Sequence, residues 1–204
     1  MSPKIPREAL SDPVYPPRED TALLLPFAQA SVRGRLLEIG CGNGTLSLAA
    51  ARRGTRVVAT DLNPFALRRL RKVAVSERLP LDPVRTDLAT GLGRFERILA
   101  NPPYLPTSPG ARDPDRWHNL AIDGGVDGCA VTARMLDALP DHLTKSGAAY
   151  VLVSSLQSAT RLRGLREEWA AFGGRQRVVV QRALEGERLE VWMLELGTVR
   201  ADRP

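Results

Sequence analysis

Leu36-Leu37-Glu38-Ile39-Gly40-Cys41-Gly42-Asn43-Gly44 is an apolar run that breaks into alternating glycines, and few folds accommodate such a junction. The run predicts a buried strand, and the glycines let the backbone turn tightly and approach a ligand closely. Downstream the chain keeps alternating. The pattern predicts a helix over Thr45–Arg53, a strand over Arg56–Thr60 and a helix from Pro64 to about Arg78, with proline in its favoured first-turn place. A short strand near Val84 and a strand over Phe95–Ala100 follow. After a long loop, 105–125, come a helix over about Val126–Leu139, a strand over Ala148–Ser154 and a helix over about Ser158–Ala171. Two last strands, Arg175–Gln181 and Leu189–Leu196, flank a hairpin-like turn at 183–187, and an amphipathic helix near 20–31, capped by Asp20 or Thr21, opens the series. Such alternation implies an α/β fold, a mostly parallel sheet covered on both faces, with one antiparallel strand from the terminal hairpin.

The expected organisation is a loosely ordered arm over 1–12, one domain over 13–197 and a tail over 198–204; a chain of 204 residues suits a single core. The stretch 105–125 is too long for a mere connection and reads as a binding element or lid, with Trp117 as an anchor of its closed form. The apolar run Ala22–Phe27 ends in Ala28-Gln29-Ala30, which superficially looks like a cleavage site. Pro26 interrupts it, and Glu19 and Asp20 stand where a secretory signal carries no acids. Cys41 and Cys129, the only cysteines, form no Cys-x-x-Cys pair, so no zinc site or disulfide framework can be read and a reducing cytoplasm is the expected setting. The formal charge of +6 is mild support for an acidic partner.

Three carboxylates fall at successive strand ends. Seventeen residues beyond Gly44 comes Asp61, followed by Leu62, and a carboxylate there can accept hydrogen bonds from both hydroxyls of a ribose. That acid suits NAD or S-adenosylmethionine equally. Glu38 could hold the cationic methionine end of the latter, and Asp87, before Leu88, could accept from an adenine amino group. The dinucleotide fingerprint wants a third glycine or alanine where Thr45 stands, so no diphosphate site is indicated and S-adenosylmethionine is favoured. The plain alternative, solvated residues at strand ends, suits any one of the three better than all of them together.

Asn101-Pro102-Pro103-Tyr104 follows the strand ending at Ala100. Asn101 offers a side-chain carbonyl, and Pro102, which has no N–H, still offers its backbone carbonyl. Two such acceptors can hold the hydrogens of a planar NH2 group and aim its lone pair. That points to group transfer onto an amide or exocyclic amine nitrogen, in which positioning can supply roughly 7–11 kcal/mol of the barrier. Tyr104 could pack against the substrate. Such a mechanism requires no general base.

With these segments in view, the chain resembles the class I methyltransferases, and more closely the HemK/PrmC-type release-factor glutamine methyltransferases. The resemblance runs from about Asp12 to Leu196. It is carried by Asn101–Tyr104 and by Val14-Tyr15-Pro16-Pro17-Arg18-Glu19-Asp20-Thr21, which is similar to the entry segment of the family's short archaeal and eukaryotic branch. Gly124, Gly125 and Gly128 resemble its Gly-Gly-x-x-Gly segment, and Gln181-Arg182 before Gly186-Glu187 its terminal hairpin. Ile122-Asp123 departs from the family where relatives often carry an aromatic residue.

The resemblance implies a Rossmann-like, seven-stranded sheet and an S-adenosylmethionine site lined by Thr21, Glu38, Gly40, Gly42, Asp61, Leu62, Asp87, Leu88 and Asn101. It implies a Gly-Gly-Gln glutamine of a class I release factor as acceptor. It also implies a small zinc-binding activator protein paired along the edge strand near Val84. The alternatives are an RNA or DNA amine methyltransferase, with Arg68, Arg69, Arg71 and Lys72 touching phosphate, and a methyltransferase-like scaffold that transfers nothing. His118 and His142, the only histidines, read as a surface loop residue and a helix-end residue, with no partners for a metal.

Overall fold

The computed structural model describes Val14, Pro16 and residues 19–197. The arm expected over 1–12 and the tail over 198–204 lie outside the described residues, as do Tyr15, Pro17 and Arg18 of the entry segment. In chain order the elements are α1 (Glu19–Gln29), β1 (Arg35–Ile39), α2 (Thr45–Ala51), β2 (Arg56–Asp61), α3 (Pro64–Ser76), β3 (Leu81–Arg85), β4 (Phe95–Ala100), α4 (Arg116–Ile122), α5 (Ala130–His142), β5 (Leu143–Ser154), α6 (Ala159–Ala171), β6 (Arg175–Leu184) and β7 (Glu187–Glu195).

The strands form one seven-stranded sheet in the order β3-β2-β1-β4-β5-β7-β6. Pairings are parallel from β3 through β5, and β7 runs antiparallel to both β5 and β6. That is the expected architecture, with one reversed strand and β3 at an edge. Successive strand residues face opposite sides, and the core divides accordingly. Leu36, Leu99, Tyr150 and Leu152 lie on one face with Leu24 of α1, Leu46 of α2 and Leu70 of α3. Leu37, Ile98, Val151 and Val153 lie on the other, with Met135 and Leu139 of α5 and Leu165 and Trp169 of α6.

Several boundaries differ from the expectation, each for a local reason. Helix α1 begins at Glu19, so Asp20 and Thr21 lie inside its first turn, yet the Asp20 carboxylate still accepts the Thr21 N–H at 2.6 Å. Helix α5 begins at Ala130 because Gly125 and Gly128 take φ of +83° and +74° and hold 125–128 as a turn. It continues through Pro140 to His142, and β5 begins at once at Leu143 rather than at Ala148. Arg94 bridges that junction by donating to the carbonyls of Pro140 (2.8 Å) and Leu143 (2.6 Å).

The stretch 105–125 is not a bare loop. It holds a 3-10 turn at Pro109–Ala111 and α4, whose N-cap Asp115 accepts the Trp117 N–H at 2.8 Å. His118 therefore sits half-buried on a helix rather than on a surface loop. No helix among the described residues is long and apolar enough to cross a membrane.

Leu99, fully buried in β4 directly before the Asn101 turn, tests how firmly this framework is held. Leu99→Ala should lower unfolding free energy by about 2–5 kcal/mol, read as a shift of the urea midpoint at unchanged slope.

Candidate functional site

Open α/β sheets bind ligands beyond the carboxyl ends of the strands, where the strand order reverses. Here β1 is followed to one side by β2 and to the other by β4, so the reversal lies between β1 and β4. Ile39 at the end of β1 is level with Thr60 on β2 and Ala100 on β4. One residue further along each strand stand Gly40, Asp61 and Asn101. Neighbouring strands are about 4.8 Å apart, so the glycine loop lies between the aspartate and the Asn-Pro-Pro-Tyr turn.

The loop is tied down at both ends. Cys41 N–H donates to the Thr60 carbonyl at 2.9 Å, and Gly42 N–H donates to Asp61 Oδ2 at 2.8 Å. Gly40 and Gly42 take φ of +70° and +49°, and a Cβ added to either would meet nothing within 4 Å. Open space therefore lies over the loop. Cys41 is buried, and burial lifts its thiol well above the usual range, which suits packing rather than attack.

Asp61 spends one lone pair of each oxygen on the backbone: Oδ1 accepts the Asn63 N–H and Oδ2 the Gly42 N–H, both at 2.8 Å. Further acceptor positions remain for hydroxyls. Burial raises its pKa against the lowering effect of those bonds. Leu62 is exposed beside it, and its carbonyl accepts from Arg85 Nε at 3.2 Å.

Glu38 is buried, and its Oε2 accepts from both the backbone N–H of Ser47 (2.8 Å) and the Ser47 hydroxyl. Oε1 accepts nothing among the described residues. Burial pushes Glu38 up to about 8, against the Ser47 bonds, with the Asp61 charge adding a smaller upward push. An ammonium placed at Oε1 would reverse that shift.

Asp87 does not stand open: Oδ2 pairs with Arg134 of α5 at 2.5 Å, both side chains about half exposed. Leu88 takes a positive φ of +52°, and its carbonyl accepts from Thr60 Oγ1 at 2.7 Å. Asn101 Oδ1 is a buried side-chain oxygen with no partner among the described residues. Pro102 beside it is buried and Pro103 half-buried. Tyr104 reaches across to α1, where its hydroxyl donates a long 3.5 Å bond to Asp20 Oδ2 next to Thr21. The entry segment and the Asn101 turn are thereby in contact.

Gly124, Gly125 and Gly128 lock the turn from behind. Leu105 N–H donates to the Ile122 carbonyl and Gly124 N–H to the Leu105 carbonyl, both at 3.0 Å. A Cβ on Gly128 would lie 2.5 Å from the Tyr104 carbonyl, so only glycine lets the two backbones meet. Buried Gln157 donates to the Gly128 carbonyl (2.9 Å) and to Thr132 Oγ1 (3.1 Å). Trp117 meets Phe65 of α3 edge-on at 5.9 Å, so α4 lies against the α3 end that follows Asp61.

Ser47, Arg134 and Gln157 escaped the sequence analysis. Each acts on the site through a contact spanning 9, 47 or 29 residues, and no local pattern signals it.

Comparisons with known proteins identify the family. Residues 19–115 match the methyltransferase small domain. A protein named as a protein N5-glutamine methyltransferase from Methanocaldococcus jannaschii is 39% identical over 145 residues, spanning 70% of this chain and 73% of the relative. The chain belongs to the protein N5-glutamine methyltransferase family. The release factor glutamine methyltransferase of Deinococcus radiodurans is 35% identical over 186 residues, covering 83% of this chain and 67% of that one. Among solved structures, the E. cuniculi Mtq2-Trm112 complex, which methylates the termination factor eRF1, superposes with a TM-score of 0.70 at 26% identity, covering 91% of this chain and all of that one. This chain is accordingly a methyltransferase, and the scaffold that transfers nothing is set aside.

Glu38 carries a pH signature. Its folded pKa, about 8, exceeds the ordinary carboxylate value of 4.5, so the folded state holds a proton that the unfolded chain has released. Stability from this group is therefore full below pH 4.5, falls as pH rises from 4.5 to 8, and is level above. Urea midpoints of the ligand-free chain across that window should fall, and Glu38→Gln should flatten the slope.

Proposed function

We propose that this methyltransferase uses S-adenosylmethionine to methylate the side-chain amide nitrogen of a glutamine, in the Gly-Gly-Gln turn of a class I translation release factor. The observation that carries the reading is the buried Oδ1 of Asn101 beside the glycine loop, which has no partner among the described residues. A buried carbonyl oxygen without a donor is costly, and an acceptor's NH2 group is a donor of the right kind. The names of the Deinococcus relative and of the eRF1-methylating complex support glutamine over a nucleic-acid amine. With such a substrate we assign the enzyme to the cytoplasm, where the translation machinery lies, and we assign residues 13–197 to one methyltransferase domain.

The residues fit the cofactor. Open space over Gly40 and Gly42 admits its body, Glu38 Oε1 can meet an ammonium, and Asp61 retains acceptor positions for ribose hydroxyls. Thr21, Leu62 and Leu88 complete the lining we assign, and Asp87 can serve adenine once Arg134 shares or releases it. When bound, the sulfonium supplies an already activated methyl group, so no covalent enzyme intermediate is needed. Asn101 and the Pro102 carbonyl hold the two amide hydrogens and aim the nitrogen lone pair toward the methyl. Pro103 stiffens the turn, and Tyr104, braced by Asp20, packs against the acceptor. Water takes the proton released after transfer.

These roles separate in one pair of variants. Asn101→Ala should abolish transfer of label from S-adenosylmethionine to release factor while leaving cofactor affinity nearly unchanged. Asp61→Ala should weaken cofactor binding by about 1–3 kcal/mol, the scale of lost charge-assisted hydrogen bonds. Calorimetric titration reads both affinities. Label entering bulk RNA instead of release factor would move the assignment to a nucleic-acid amine.

We also propose a partner on the β3 edge, a small zinc-binding activator. Strand β3 ends the sheet, with Val84 half-buried on it, and Leu62 and Val75 are exposed on neighbouring segments. Pro83 and Arg85 blunt the edge only in part. The structural relative was solved as a complex with a second protein, Trm112. Co-expression with such an activator should raise soluble yield and activity, and Val84→Asp should remove the gain. A fully active lone monomer, indifferent to Val84→Asp, would count against the partner.

A further inference from the structure

At the opposite pole of the sheet, where the strands begin, lies an open cavity of about 740 Å³. Two turns enclose it, the α1–β1 connection at 31–35 and the α2–β2 connection at 52–56, and Arg35, Arg52, Arg53 and Arg56 line it. Arg33 is exposed in the first of these turns. Four arginines thus line one small cavity, and a fifth stands in one of the turns that form it. Arg35 and Arg56 are level with each other at the first positions of paired strands.

The carboxylates nearby do not answer this charge. Glu77 is spent on Arg52, which it holds through two bonds of 2.8 and 2.7 Å. Glu96 accepts the backbone N–H of Arg35 at 2.6 Å, while the Arg35 guanidinium donates to the Arg94 carbonyl and stacks over Phe95 at 4.8 Å. Among the described residues, Arg33, Arg53 and Arg56 have no acidic partner. Two arginines are therefore held in place by protein contacts, and three are left to meet an anion.

We infer that this pole binds the phosphate backbone of a nucleic acid, about 16 Å of strand away from the methyl-transfer crevice. Guanidinium forks match phosphate oxygens bidentately. Arginines on two separate turns suit a run of phosphodiesters better than one small anion. Among the described residues no aromatic side chain lines the cavity, so the contacts it offers are to phosphate, independent of sequence and steeply dependent on salt. The nucleic acid here is a docking partner and not a methyl acceptor. This inference stands independently of which nitrogen is methylated.

Fluorescence anisotropy with a labelled single-stranded RNA of about 16 nucleotides and the purified full chain tests it. Binding should weaken linearly in log salt, with a slope of about −0.7 per neutralised phosphate. The triple variant Arg33→Ala, Arg53→Ala, Arg56→Ala should weaken binding about ten-fold or more and flatten the slope by about 2. Arg68→Ala, Arg69→Ala, Lys72→Ala on α3 removes the same formal charge elsewhere and should leave most of the affinity intact. Both triple variants should retain methyl transfer to a peptide acceptor. Equal losses from the two variants would reduce the effect to net charge and overturn the site. So would undiminished binding by the first variant, or displacement of RNA by tripolyphosphate at equal phosphate concentration.

Discussion

Parallel register across β2, β1 and β4 is the constraint on which the site depends. Because Ile39 is level with both Thr60 and Ala100, the chain leaves three adjacent strands at the same height. Gly40, Asp61 and Asn101, far apart in sequence, become neighbours along one rim. A one-residue slip in either pairing would turn a whole strand's side chains to the wrong face. Burial on both faces forbids that slip: Leu36 and Leu99 pack on one side while Leu37 and Ile98 pack on the other. The hydrophobic core thus sets the geometry of polar groups that take no part in it.

Polar groups at the rim are held under electrostatic tension. Glu38 is buried beside Asp61, with Ser47 as its donor, and burial outweighs the bonds that would keep it ionised. Asp61 is kept in place by the Gly42 and Asn63 amides while burial raises it too. Asn101 keeps a buried carbonyl oxygen without a donor among the described residues. Each of these is poorly served by the protein alone and would be better served by a cationic or hydrogen-donating ligand. Shifted acids and orphaned acceptors concentrate where function needs them. At the far pole the same reasoning applies with opposite sign, to guanidinium groups that have no acidic partner among the described residues.

Backbone proximity holds the Asn101 turn in its place. Gly128 lies against the Tyr104 carbonyl and Gly124 against the Gly128 backbone, closer than any side chain would permit. The segment 105–125 leaves from and returns to that junction, so α4 is a short excursion closed by hydrogen bonds between Leu105, Ile122 and Gly124. Contact between Trp117 and Phe65 then brings the excursion over the neighbouring end of α3.

The alternation of strands and helices, the one antiparallel strand of the terminal hairpin and the strand-end positions of Glu38, Asp61 and Asn101 were legible in the chain itself, because periodicity, glycine spacing and proline placement are local signals. The lateral order of the strands is not such a signal and came only with the family resemblance. Boundaries were less legible where two signals competed. Val126 reads as the start of a helix until Gly125 and Gly128 adopt left-handed φ, and Pro140 reads as a stop although the helix runs through it. Helix α4 was hidden inside a stretch rich in proline and charge, since a helix of seven residues owes its existence to the Asp115 cap and its surroundings. Only the tertiary structure decided which groups share a partner. The Glu38–Ser47 bonds, the Asp87–Arg134 pair, the reach of Tyr104 to Asp20 and the gathering of Arg35 with Arg56 all join segments that the sequence keeps apart. Sequence determines what a residue can donate, accept or bury, but packing determines which residue it meets.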